Sequence, residues 1–376
     1  MPEPFKNFFN PNMVAQMADH FKKQWPDFDR DGFVREAVSG FEGQELKERA
    51  HAITHAMIRY LPDDFIHAGK ILRASLHPDD GADLSTDGSD ADGVRGWGIM
   101  CLTEYVAARG QDHFDLSLDL LKEMTKRFSS EFSIRHFLIR EPVRTLAVME
   151  DWVKDDNHHV RRLVSEGTRP KLPWAMNLPL FREKPEMVLP LLESLKDDES
   201  EYVRRSVANN LNEMAKDHPD LVAELAARWM KGASKNRVRL VKHACRTLVK
   251  QGHAGALAAL GFGQPEIDLR SFRILTPVVQ FGEELRFDID LASTGQASQN
   301  LVIDYAIHHR KANGSLAPKV FKWKNLSLEA GAGERAERKH AIKPITTRKY
   351  YPGEHAVEIL VNGEAIKRLP FTLVMA

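Results

Sequence analysis

Asn157-His-His-Val160-Arg161-Arg162-Leu163-Val164 and Ser200-Glu-Tyr-Val203-Arg204-Arg205-Ser206-Val207 are two copies of one phrase. Each has a polar turn, then Val-Arg-Arg, then an apolar stripe. A looser copy follows at Asn236-Arg237-Val238-Arg239-Leu240-Val241. The three valines lie 43 and then 35 residues apart, within the span of two-helix solenoid repeats. Such repeats stack their apolar faces and carry equivalent residues to one place along a continuous surface. The phrase therefore predicts a row of cations, Arg162, Arg204, Arg205 and Arg239 among them, suited to a polyanion such as nucleic acid.

Outward from this phrase the spacing stays helical from about residue 12 to residue 260. Phe114, Leu118, Leu121, Thr125 and Phe128 mark one face, and Val203, Val207, Leu211 and Met214 another. Breakers separate the runs at Pro62, Pro78, Pro142, Pro185 and Pro219, and Pro142 and Pro219 sit where a first helical turn tolerates proline. Past Gly261-Phe-Gly-Gln-Pro265 the period changes to two. Leu285, Phe287, Ile289 and Leu291 alternate with polar neighbours, and Leu301, Ile303, Tyr305 and Ile307 repeat the same spacing of two. Further runs lie at 320–328, 355–361 and 369–374, with turns at Asn313-Gly314 and Asn362-Gly363. The expected fold is mainly α. A HEAT-like solenoid of antiparallel helix pairs over residues 1–262 precedes an immunoglobulin-like β-sandwich over 269–376.

The formal net charge is zero but unevenly spread, at −6 over residues 1–110, +2 over 111–267 and +4 over 268–376. That excludes a bulk polycation and leaves room for a local basic groove. Cys101 and Cys245 alone build neither a disulfide framework nor a zinc knuckle. The start, Met1-Pro-Glu-Pro-Phe-Lys, is unlike a signal peptide, and no apolar run is long enough to span a membrane. A reducing cytoplasm is the expected compartment.

Arg161 to Trp174 is the densest constellation of chemistry-bearing side chains. Arg162 and Glu166, four apart, share a helix face. The helix should stop at Gly167, with Pro170 marking the exit. Glu166 then sits in a last turn, where the helix dipole disfavours a carboxylate, and such a broken local rule often marks a functional site. The plainer alternative is an Arg162–Glu166–Arg169 ion cluster that pins the loop. Trp174, in a loop, is either a lid over the core or a face for a cationic or stacked base. Trp152 is in register with the core. Glu131 and Arg135 read as a stabilised helix start.

Asp79, Asp80, Asp83, Asp87, Asp90 and Asp92 invite a calcium reading, yet position 88 is Gly and position 99 is Ile where an EF-hand needs ligands, so a solvated loop is expected. His51 and His55 share a helix face without the Glu of a zinc-protease motif. No metal and no cofactor is predicted.

Ser130-Glu131-Phe-Ser-Ile-Arg135 and His159-Val-Arg161-Arg162-Leu-Val-Ser-Glu166-Gly-Thr-Arg169-Pro-Lys171-Leu-Pro-Trp174 resemble the AlkC branch of the HEAT-repeat DNA glycosylases. The resemblance extends over roughly residues 1–262. It implies a bacterial repair enzyme that removes cationic alkylated bases, 3-methyladenine above all, from double-stranded DNA by hydrolysing the N-glycosidic bond. It implies no tight base-flipping pocket. Nothing in the sequence demands more than a monomer, and a nucleoid-associated location is expected when the protein is bound to DNA. Glu131, Glu166 and Trp174 match the family's active-site positions. Arg135, Arg162, Arg169, Lys171, Arg204, Arg205 and Arg239 would contact DNA. Lys319 and Lys322, with Lys324 on the same predicted strand, suggest that the sandwich clamps the duplex. The rival is a non-enzymatic HEAT scaffold binding nucleic acid or a protein.

Overall fold

The computed structural model describes residues 4–78, 88–345 and 348–375, so Asp79, Asp80, Asp83 and Asp87 of the acidic insertion lie outside the described residues. The chain divides into two compact units, Met1–Glu213 and Met214–Ala376. The first contains α1 (Pro11–Gln24), α2 (Arg30–Val38), α3 (Leu46–Tyr60), α4 (Phe65–Ala74), α5 (Gly98–Arg109) and α6 (Phe114–Thr125). After these come α7 (Ile134–Arg140), α8 (Pro142–Trp152), α9 (His158–Gly167), α10 (Pro179–Glu183), α11 (Leu189–Leu195) and α12 (Glu201–Met214), which ends at the boundary.

Local chemistry sets these starts and stops. Asn10, Asp29, Asp64 and Asn157 cap α1, α2, α4 and α9 by accepting backbone N–H bonds, and Glu45 and Glu48 form a capping box on α3. Pro142 opens α8, and α9 ends at Gly167. The apolar stripes are fully buried, from Phe114, Leu118 and Leu121 to Val203, Val207 and Leu211, and Trp152 is in the core. Among the described residues no helix is long and apolar enough to cross a membrane.

The repeated phrase has an unexpected use. Arg161 donates to the carbonyls of Asp155 and Asp156 at 2.8 and 2.9 Å, and Arg204 donates to those of Asp198 and Glu199. In each copy the acceptors stand six and five residues upstream. Asp155 and Asp198 in turn accept the backbone N–H two residues on. The first arginine of the phrase thus ties down the turn that starts its own helix, and both are buried.

The second unit opens with α13 (Pro219–Met230), α14 (Lys235–Ala244), α15 (Arg246–Lys250) and α16 (Ala254–Ala259). Strands follow: β1 (Ile267–Ile274), β2 (Val278–Gln280), β3 (Glu284–Ser293), β4 (Gln299–Arg310), β5 (Leu316–Leu328), β6 (Gly333–Ala341), β7 (Gly353–Val361) and β8 (Glu364–Val374). They form sheets of order β1-β3-β6 and β2-β8-β7-β4-β5. Leu285, Phe287, Ile289 and Leu291 share one core with Leu301, Ile303, Tyr305 and Ile307.

Asn362 and Gly363 turn β7 into β8 with φ of 46° and 79°, the left-handed pair a two-residue hairpin needs. The Asn362 side chain accepts from Val302 N at 2.7 Å and donates to Gly263 O at 2.7 Å. A Cβ on Gly363 would stand 2.1 Å from Gly252 Cα, so helices and sandwich of this unit meet where a side chain has no room.

Candidate active site

A cleft of about 820 Å³ opens in the first unit. Its aromatic walls are Trp97, Phe128, Phe132, Tyr202 and Trp174, and its charged floor holds Glu131, Arg162, Glu166 and Arg169. Four segments build that floor. Glu131 comes from the turn before α7, Arg162 and Glu166 from α9, and Arg169 from the loop after it. Ser206 and Glu213 come from α12, one repeat further on.

The floor is a chain of alternating charges. Arg162 Nη1 donates to Glu131 Oε2 and, at 2.9 Å, to Ser129 Oγ. Its Nη2 lies 3.4 Å from Glu166 Oε1, which also accepts from Arg169 Nη1. Arg169 Nη2 donates to Glu213 Oε1, and Ser206 Oγ donates to Glu166 Oε2 at 2.6 Å. Both oxygens of Glu166, 5% exposed, are therefore occupied. Glu131 is different. Its Oε2 accepts from Ser129 and Arg162, while Oε1 has no partner among the described residues.

Burial alone would raise the Glu166 carboxyl, but the charges of Arg162 and Arg169, with the hydrogen bonds from Ser206 and Arg169, hold it below its ordinary value. Burial also opposes the charge on Arg162, and Glu131 and Glu166 more than offset it, so its pKa is raised. Each arginine keeps a buried Nε without a hydrogen-bond partner, a cost of roughly 1–3 kcal/mol apiece that a merely structural network tends to avoid.

Trp174 stands at the mouth, 64% exposed, with φ of +66°. For a bulky residue that conformation costs roughly 1–3 kcal/mol and persists only where neighbours enforce it. Lys47 on α3 donates to the Trp174 carbonyl. Arg162 lies over the Tyr202 ring at 5.1 Å. Trp97, also in the wall, stacks on Phe8 with centroids 5.3 Å apart.

The family described as DNA alkylation repair enzyme matches residues 98–248, and the C-terminal Ig-like domain of protein YhaZ matches residues 268–375. Protein YhaZ of Bacillus subtilis (strain 168) is 33% identical over 368 residues, covering 97% of this chain and 98% of YhaZ. The structure of Pseudomonas fluorescens alkylpurine DNA glycosylase AlkC bound to DNA containing an abasic site analog matches at a TM-score of 0.86 and 37% identity, over 99% of this chain and 100% of that one. The chain belongs to the AlkC family. That membership accounts for both parts at once, the helical repeats and the Ig-like sandwich.

Glu131, 35 residues before Glu166 in the sequence, lines the same cleft as Glu166 and Trp174. The DNA-contact set divides differently from the expectation. Arg135 is fully buried and donates to backbone carbonyls, and it makes no ion pair with Glu131. Arg169 and Arg204 are buried as well, one between two glutamates and one beneath its own turn. Arg135 has no surface to offer a phosphate, Arg204 has little, and Arg169 shows only at the cleft floor. Lys171 is half-buried, while Arg205 and Arg239 are exposed. Lys319 and Lys322 are exposed, but a bulge in β5 pairs Lys324 with Ile303 and Lys322 with Asp304. Lys322 therefore points to the face opposite Lys319 and Lys324, and no single basic strand face forms.

In the acidic insertion, His77, Asp90 and Asp92 have ligand atoms within 4.8 Å of one another. Asp90 is already paired with Arg95 at 2.8 Å, and that guanidinium balances its charge.

Tyr202, Ser206 and Glu213 were missed as site residues. Ser206, Asn210 and Glu213 lie at helical spacing, interrupting a stripe that is otherwise apolar. That interruption is the signal by which they were findable.

Proposed function

We propose that this protein is a DNA glycosylase that excises cationic N-alkylated bases, chiefly 3-methyladenine, from double-stranded DNA by hydrolysing the N-glycosidic bond. Residues 1–262 form the catalytic domain and residues 269–376 an appended DNA-contacting sandwich. The observation that carries the reading is the single open carboxylate oxygen, Glu131 Oε1, beside an occupied and ionised Glu166.

A 3-methylated adenine already bears positive charge, so it departs without being protonated. The site has no need of a general acid, and a carboxyl held below its ordinary value, as Glu166 is, makes a poor one. The demand falls on the sugar, which becomes oxocarbenium-like as the bond breaks. A carboxylate about 4 Å from that cation, at an effective dielectric near 20, contributes up to about 4 kcal/mol. Pairing with Arg162 reduces this, yet even about 2 kcal/mol is a roughly thirtyfold rate effect. Glu131 Oε1 faces the sugar and orients the attacking water. Glu166 holds Arg162 and Arg169, and through them the angle of Glu131. Trp174 lays its face against the cationic base or sugar, at an open mouth rather than inside a closed pocket.

The test is release of methylated bases from alkylated duplex DNA. Glu131→Gln should lose release while retaining affinity for abasic-site DNA. Equal loss of both would remove the assigned role.

A further inference from the structure

Resting on the reading above, we propose that Arg135 is a positioning residue of the cleft: its guanidinium holds the loop between α9 and α10 from beneath and so sets where Trp174 and Arg169 stand. Lys47 is the second tie, at the loop's tip.

Arg135 is 0% exposed. Its Nε donates to Met176 O at 2.7 Å, Nη1 to Gly167 O at 2.9 Å and Arg169 O at 2.8 Å, and Nη2 to Pro170 O at 3.4 Å. All four acceptors belong to the end of α9 and the loop beyond it. Burial pulls the guanidinium down to about 10, so it stays charged at neutral pH. A buried cation whose hydrogen bonds all go to carbonyls is costly unless the place requires it.

The loop supplies that requirement. Pro170 and Pro173 remove two N–H donors, and few backbone bonds close the segment: Arg169 N to Glu166 O, Ala175 N to Leu172 O and Leu178 N to Pro170 O. The planar fork of one arginine replaces the missing donors. At the far end the Lys47 ammonium holds the Trp174 carbonyl and lies 5.7 Å from the Phe132 ring. Between the two ties Trp174 keeps its left-handed backbone. With either tie cut, that conformation relaxes and the indole leaves its place.

The experiment uses the full-length protein with Arg135→Lys, Lys47→Met and Trp174→Phe. Three quantities are read: single-turnover base release, Kd for abasic-site duplex, and acrylamide quenching of the Trp174 emission, taken as the difference from Trp174→Phe. Arg135→Lys should slow release about 100-fold, the size a displacement near 1 Å produces. Its Kd should change less than about tenfold, and its Trp174 quenching should shift. Lys47→Met, on an exposed side chain, should shift quenching in the same sense with a smaller rate loss, and it carries the test if Arg135→Lys does not fold. Reduced thermal stability with wild-type rate per folded molecule and wild-type quenching would overturn the proposal. If the wild type releases no base, the functional reading fails, and the quenching comparison still decides the positioning claim.

Discussion

The floor of the cleft and the outer face of the β1-β3-β6 sheet use the same materials to different ends. Each is a lattice of arginines and carboxylates. On the sheet Arg273 pairs with Asp288, Arg286 with Glu337 and Arg335 with Asp290, and the arginine side chains are 69%, 44% and 81% exposed. In the cleft the pairs join Glu131, Arg162, Glu166, Arg169 and Glu213, whose side chains are 6–16% exposed. Water screens the first lattice, so each pair contributes roughly 0–1 kcal/mol. In the second, an uncompensated charge has nowhere to be solvated. Residue counts would rank the two regions alike, but burial makes only one of them an electrostatic device.

Removing a cation from the cleft should have the largest effect. Arg169→Leu strips Glu213 of its cation and leaves Glu166 with Arg162 alone, and chemical denaturation should show a loss of about 3–5 kcal/mol. A loss below about 1 kcal/mol would mean that the cleft is as well screened as the sheet. Next in size is Glu131→Gln, which keeps shape and hydrogen-bonding capacity but loses charge. Single-turnover release should fall roughly 30- to 1000-fold, matching about 2–4 kcal/mol of barrier, with the melting temperature little changed.

A third effect lies in the sandwich and depends on pH. Burial, reinforced by Arg348, lowers His309 to about 3, and burial, reinforced by Arg338, lowers His340 to about 4. Both stay neutral in the folded state while the unfolded chain protonates near pH 6.5. Stability is therefore full above pH 6.5 and lost as pH falls toward those values, at about 1.4 kcal/mol per pH unit for each histidine. Urea unfolding at pH 7.0 and 5.5 should show the decline, and His340→Gln should flatten it. The smallest effect belongs to the exposed lattice. Arg335→Ala should change stability by no more than about 0.5 kcal/mol, and a larger change would break the contrast.

Much of the fold was legible because its markers are local. Pro142 and Pro219 do open helices, Gly167 ends one, and strands begin just beyond the Gly261–Pro265 break. β6 was not legible. Glu334 to His340 offers no apolar alternation, since no residue of the strand is fully buried. β4 is buried on both faces, so the alternation seen at Leu301–Ile307 understates it.

In the site, Glu131, Glu166 and Trp174 were reached through the resemblance, and Glu166 was also marked by its place in a last turn. The arginines misled because the Val-Arg phrase looks the same whether its guanidinium meets solvent or its own turn. Only the carbonyls upstream distinguish the two, and sequence does not show their direction. Arg135 misled for the same reason: a spacing of four from Glu131 suggests a surface pair, while its acceptors lie more than thirty residues away.

The most direct test measures free methylated bases released from alkylated duplex DNA by the wild type, Glu131→Gln and Glu166→Gln, alongside binding to abasic-site duplex. If Glu131 stabilises the departing sugar, the wild type releases 3-methyladenine, Glu131→Gln loses nearly all release with binding retained, and Glu166→Gln loses release as Arg162 is freed to turn. Salt-sensitive DNA binding with no base release by any of the three would contradict that role and leave the cleft a binding scaffold.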